Sequence, residues 1–210
     1  GLYSQVQAGK TKDFFFWTCV GRNFGKVKDL NNHVLKSTPQ KIIQKTEEYW
    51  FNWVNKANFK FKGLSDNVID IFKRSLLIIS THVDRNGAII ASSDSEMLYL
   101  RKDTYNYTWP RDGALIARSL DRAGYNDITE HFFKFCKDVI SEDGYLFHKY
   151  RPDCSLGSSW HSWIKHGHVQ LPIQEDETAL VLDAFWKHYL QHGKKLNLTE
   201  MHQKLIRKAA

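Results

Sequence analysis

From residue 63 onward, apolar residues recur at three- and four-residue steps, the period of helices buried along one face. Val68, Phe72, Leu76, Ile79 and Val83 make one such stripe behind Ser65, a residue suited to capping a helix start. Leu77 and Ile78 widen the stripe, so this helix is expected to be buried on more than one side. A second helix is expected over 112–123, with Gly124 at its stop. A third should open at Asp127-Ile128-Thr129-Glu130, which reads like a capping box with Asp in the hydroxyl position. It should reach about Ile140 and bury Phe132, Phe135, Cys136 and Val139. A fourth, over 174–189, would turn Leu180, Val181, Ala184, Phe185 and Tyr189 inward, and a last helix is expected over 197–207.

The pattern changes upstream. Phe14-Phe15-Phe16-Trp17-Thr18-Cys19-Val20, ended by Gly21, has the aromatic and β-branched content of a short buried strand. One or two strands cannot stand alone. This stretch should pair with strands of a larger β domain or lie against helices. Thr38-Pro39 marks a strong helix start, with Pro at the first helical position, and the helix should run to about Lys56. Its apolar side is Tyr49, Trp50, Trp53 and Val54, and it reads as a connector. Beyond it, helices alternate with long decorated loops. That alternation makes helical hairpins of the kind found in stacked or toroidal α/α folds.

Composition narrows the function classes. The 210 residues are 42% apolar and 25% charged, ordinary for a globular protein, but 14% aromatic with seven Trp. No apolar run approaches the roughly 20 residues needed to span a bilayer, so no membrane is expected. The net charge of +7 is dispersed over Lys60 and Lys62, Lys194 and Lys195, and Lys204 to Lys208. The distinctive stretches carry acids instead, which argues against a nucleic-acid partner. Cys19, Cys136 and Cys154 are odd in number and far apart, giving no disulfide framework and a mild preference for a reducing, cytoplasmic setting. His161, His166 and His168 share no ligand spacing with Cys or carboxylates, so neither a metal nor another cofactor is expected. The chain begins at Gly1 without a visible signal peptide, and its natural N-terminus is expected to be missing.

The densest chemistry lies in Tyr105-Asn106-Tyr107-Thr108-Trp109-Pro110-Arg111-Asp112. Pro110 biases Trp109 away from helical backbone, so Arg111 and Asp112 should fall in a helix's first turn. One reading is an ion pair plus a cap, with Trp109 in the core. The other is a polyol pocket. A sugar offers C–H faces to Tyr and Trp rings, and hydroxyl pairs to forked guanidinium donors and carboxylate acceptors. Two further stretches stay equally open. Leu156 to Trp163, with Trp160 and Trp163, either closes over the core or forms a binding wall. In Gln170 to Ala179, the acids Glu175, Asp176 and Glu177 either compensate a helix dipole or send one member toward the pocket of Asp112.

These motifs in combination resemble glycoside hydrolase family 15, the glucoamylase family, especially its prokaryotic branch. The residues that carry the resemblance are Tyr105 to Leu115 (YNYTWPRDGAL), Leu120 to Tyr125 (LDRAGY), Gly157 to His161 (GSSWH) and Gln170 to Leu182 (QLPIQEDETALVL). Residues 64–192 carry it best, and residues 1–63 are less specifically similar to the end of a β-sandwich followed by a linker. The resemblance implies a mainly α fold. Residues 1–37 would be the β-sandwich remnant, 38–63 a helical linker and 64–210 the N-terminal part of an (α/α)6 toroid. It implies release of terminal glucose from α-glucans or oligosaccharides with inversion, by two carboxyls roughly 6.5–9.5 Å apart. Substrate would be held by Tyr105, Trp109, Arg111 and Asp112, walled by Trp160 and rimmed by Glu175 and Asp176. No catalytic residue is assigned within the chain. The family's general acid lies in a Trp-Glu-Glu stretch, absent here, and both carboxyls are expected beyond Ala210, which makes the chain a fragment. A trehalase- or glucodextranase-type member and a noncatalytic carbohydrate-binding scaffold are the alternatives.

Overall fold

The computed structural model describes residues 3–94, 104–158, 164–193 and 202–209, which are mainly helical. The chain divides into two units, Gly1–Lys56 and Ala57–Ala210.

In the first unit, residues 3–23 form no strand. This corrects the strand expected over 14–20, and with it the short β segment ahead of the helices. Without a partner, the ladder groups of an isolated strand find no bonds, and Phe16 is 90% exposed. Trp17 is tied instead to a helix, its Nε1–H donating to Asn31 Oδ1 at 3.0 Å. That helix, α1 (Phe24–Ser37), is absent from the sequence reading. Asn23 caps it, its Oδ1 accepting from the Lys26 N–H at 3.0 Å. Thr38 turns the chain in the left-handed half of φ, at 66°, and Pro39 opens α2 (Pro39–Val54) as expected. α1 lies against α2. Tyr49, Trp50 and Trp53 stack edge to face along α2, with centroids 5.1 and 5.7 Å apart.

The second unit contains α3 (Asp66–Thr81), α4 (Pro110–Arg122), α5 (Asn126–Val139) and α6 (Glu175–His192). A two-stranded ribbon, β1 (Ile164–Lys165) and β2 (His168–Val169), and a C-terminal helical segment, wide-wound over His202–Ile206 and α-helical over Arg207–Ala209, complete its described elements. The ribbon lies in the connection between α5 and α6. His166 and Gly167, both with positive φ, make its two-residue turn. The helix expected from Asp127 begins one residue earlier, at Asn126. Asn86-Gly87 turns the chain after α3: Gly87 has φ 90°, and a Cβ there would strike the carbonyl of His131.

α4 lies against both α5 and α6, and its small residues make this possible. Ala114 and Ala117 are buried, and a Cβ at Gly113 would overlap the ring of Phe132 on α5. Thr129 Oγ1 of α5 donates to the Ala117 carbonyl at 3.1 Å. The pairs Gly113–Phe132 and Ala117–Thr129 step in opposite directions, so α4 and α5 are antiparallel. Phe132, Phe133, Phe135, Cys136, Val181, Ala184 and Phe185 fill the space between the helices, with Leu146 and Tyr150 from the following loop.

Candidate functional site

Trp109 is the N-cap of α4, with extended backbone, and Pro110 occupies the first helical position. The sequence therefore delivers Arg111 and Asp112 into the first turn, as expected. α6 begins one residue after Gln174, with Glu175, Asp176 and Glu177 in its first turn. The two helix starts meet. Arg111 Nη1 donates to Gln174 Oε1 at 2.7 Å and to Asp176 Oδ2 at 3.3 Å. Asp112 Oδ2 lies 3.6 Å from Arg111 Nε, with more than half of its side chain exposed. One guanidinium thus gathers an amide and two carboxylates beside an open cleft of about 450 Å³ lined by Arg111, Ile173, Gln174, Glu175 and Asp176.

The third acid of α6 turns the other way. Glu177 is 0% exposed, and its Oε2 accepts the backbone N–H of Arg111 at 2.8 Å. That N–H is one of the groups left free at a helix start, so α6 caps α4 across the packing interface. Its Oε1 lies 3.5 Å from His148 Nδ1. Burial pushes the Glu177 carboxyl up to about 8, with Asp112 and Asp176 adding to the rise and the Arg111 N–H and guanidinium opposing it. Trp109 Nε1–H donates to His148 Nε2 at 3.2 Å, which places the neutral imidazole proton on Nδ1, facing Glu177.

The aromatics divide between two jobs. Tyr105 is 57% exposed, and its ring lies 5.8 Å from that of Trp109, tilted by 31°. Trp109 is 6% exposed and does not line the cleft. It is packed against Tyr105, Tyr107 and His148, and the ammonium of buried Lys149 lies 5.5 Å from its ring centroid and 4.4 Å from that of Tyr107. Trp109 is therefore placed to back Tyr105 and orient the helix start.

Of the residues singled out in the sequence, Arg111, Glu175 and Asp176 line the cleft, and Asp112 stands beside Arg111. Tyr105 stands on Trp109 nearby. Trp160, like Trp163, lies outside the described residues. Sequence reading missed Gln174, His148 and Lys149, and it did not separate Glu177 from its two neighbours. A signal for Glu177 was present. It lies four residues before Val181 and seven before Ala184, on the buried stripe of α6.

No family model matches the sequence, and no curated protein matches it. The fold does have likenesses among solved structures. A wild-type glycosidase aligns at 21% identity with a TM-score of 0.52, covering 70% of this chain and 41% of the glycosidase. A glycosidase variant with phenylalanine replaced by tyrosine gives the same values. A variant with glutamate replaced by alanine gives 20% identity and a TM-score of 0.51 over the same shares. The chain thus spans 41% of the length of the chains it resembles. At such identity the likeness establishes the fold: mainly α, with the helices of a partial (α/α) toroid.

Proposed function

We propose that this chain belongs to a glycoside hydrolase of the glucoamylase-like family 15 and contributes the pocket that grips a terminal glucose unit of an α-glucan or oligosaccharide. The observation that carries the reading is the Arg111 guanidinium, a third exposed, held between Gln174, Asp176 and Asp112 at the edge of an open cleft. Adjacent sugar hydroxyls match that fork of donors and its flanking acceptors. Tyr105 offers the C–H face of the ring a flat apolar surface. The glycosidase fold and the motif resemblance point the same way. Inversion and the α-1,4 linkage rest on the family resemblance. Neither catalytic carboxyl is assigned to Asp112, Glu175, Asp176 or Glu177.

The test is a calorimetric titration of the chain with maltose, whose neutral hydroxyl pairs the Arg111 fork can grip without charge repulsion. Arg111→Ala should weaken binding by about 10–100-fold, the worth of charge-assisted hydrogen bonds of about 1.5–3 kcal/mol. Unchanged affinity in a folded variant would reject the pocket.

A further inference from the structure

A second cluster of polar groups lies farther along the same two helices. Asp121 on α4 and His188 on α6 are buried, at 4% and 1% exposure. His188 Nδ1 lies 2.8 and 2.9 Å from the two Asp121 oxygens. His192, one turn on along α6, turns its Nε2 to within 3.8 Å of Asp121 Oδ1. One ligand atom from each of the three residues falls within 4.8 Å of the other two. The position is distinct from the cleft: His188 is twelve residues past Asp176, about 18 Å down the helix axis.

We propose that Asp121, His188 and His192 form a site for a divalent transition metal of the zinc class that fastens α4 to α6. Three observations support it. Histidines four residues apart lie on one face of a helix, the spacing by which helical metal sites present two imidazoles. Two ligands of one tetrahedral zinc sit about 3.3 Å apart, given bonds of about 2.0–2.1 Å. The 3.8 Å gap between His192 Nε2 and Asp121 is too long for a hydrogen bond, yet short enough for one ion to bridge. The Nε2 atoms of His188 and His192 are buried and accept no hydrogen bond among the described residues. For His192, a bound cation would supply the missing partner. Binding through Nδ1 takes the other tautomer of the neutral His188 ring: its single proton moves from Nδ1 to Nε2, and the freed Nδ1 lone pair goes to the metal. His192 gives its Nε2 lone pair and Asp121 a carboxylate oxygen. A fourth position is left for water.

The experiment titrates the metal-stripped chain with zinc alone by calorimetry, and with cobalt by visible absorption. One zinc per chain is expected. Cobalt should give the visible bands of a four-coordinate site. Zinc at a hundredfold excess over its Kd should raise the thermal midpoint by about 5–10 °C. His192→Gln should weaken zinc binding by at least about 100-fold, because one of three protein ligands is gone. The exposed ribbon histidines are the control: His166→Gln with His168→Gln should leave binding unchanged. The proposal is overturned if no stoichiometric zinc binds, or if the ribbon variant, not His192→Gln, abolishes binding. Should His192→Gln fail to fold by circular dichroism, the cobalt spectrum of the unsubstituted chain decides. Absence of four-coordinate bands then sinks the site.

Discussion

Glu177→Gln isolates the buried carboxyl at the meeting point of α4 and α6. The group's ordinary value is 4.5 and the folded protein holds it at about 8, so between those limits the folded state binds a proton that the unfolded state has released. Unfolding free energy therefore falls as pH rises through that window, and the contribution is fully present below the unfolded value. Integrating from pH 5 to pH 8 gives a loss on the order of 3 kcal/mol at 1.36 kcal/mol per pH unit. Gln keeps an oxygen for the Arg111 N–H and fills nearly the same volume, but does not titrate. Among the described residues, the ionisable groups around Glu177 include Arg111 and Asp112 on α4, Cys136 on α5, Asp176 on α6, and His148 and Tyr150 from the loop between α5 and α6. All remain in the variant, so their own titration largely cancels in the comparison. Thermal melts of both proteins at half-unit steps from pH 5 to pH 8 give the measurement. The native chain should lose about 6–12 °C more than the variant, from 2–4 °C per kcal/mol at this size. Parallel profiles would mean that the carboxyl is already ionised at pH 5, and that the burial argument is wrong.

Three other substitutions probe the same frame. Asp112→Asn, in an enzyme containing this chain, should lower turnover by about 10–100-fold through loss of a charge-assisted bond, with the circular dichroism spectrum unchanged; steady-state kinetics on maltose checks it. Gly113→Ala should destabilise by about 1–3 kcal/mol, read as a fall in thermal midpoint, because its Cβ overlaps the Phe132 ring at a packed helix crossing. Arg118→Ala removes the ion pair with Asp183, whose side chains are 36% and 41% exposed, and should change the midpoint by no more than about 3 °C.

The helices were legible because their apolar positions repeat with the helical period over several turns, and Pro39, Pro110 and Gly124 punctuate them. The strand expected over 14–20 failed because a β-like composition supplies no partner strand. α1 was missed because only Val27, Leu30, Val34 and Leu35 mark its apolar side, and none of its residues is buried. At the site, the sequence displayed the charged groups but not their directions. Three consecutive acids project about 100° apart around a helix. Asp176 therefore reaches Arg111, Glu175 borders the cleft, and Glu177 goes inward. Similarly, Trp109 looked like a sugar platform by residue type alone. Its burial follows from the cap position and from His148, a loop residue that no local pattern marked.

The polar ties between α4 and α6 say more about the fold than any one of them does. Arg111 meets Asp176, Arg118 meets Asp183, and Asp121 meets His188, at sequence separations of 65, 65 and 67. A nearly constant separation requires the two helices to run in the same direction with little slip over about three turns. α5 between them in sequence runs the opposite way, as the Gly113–Phe132 and Ala117–Thr129 pairs show. Parallel helices linked through an antiparallel one are the repeating step of an α/α toroid. That step gathers helix N-termini at one end, where their free N–H groups and positive dipole ends accumulate. Glu177 takes one of those N–H groups, and Asp112, Glu175 and Asp176 lie over the rest of that end. The acids that first read as dipole compensation are therefore also the acceptors around Arg111. One electrostatic requirement of the fold places the polar groups that the proposed sugar pocket uses.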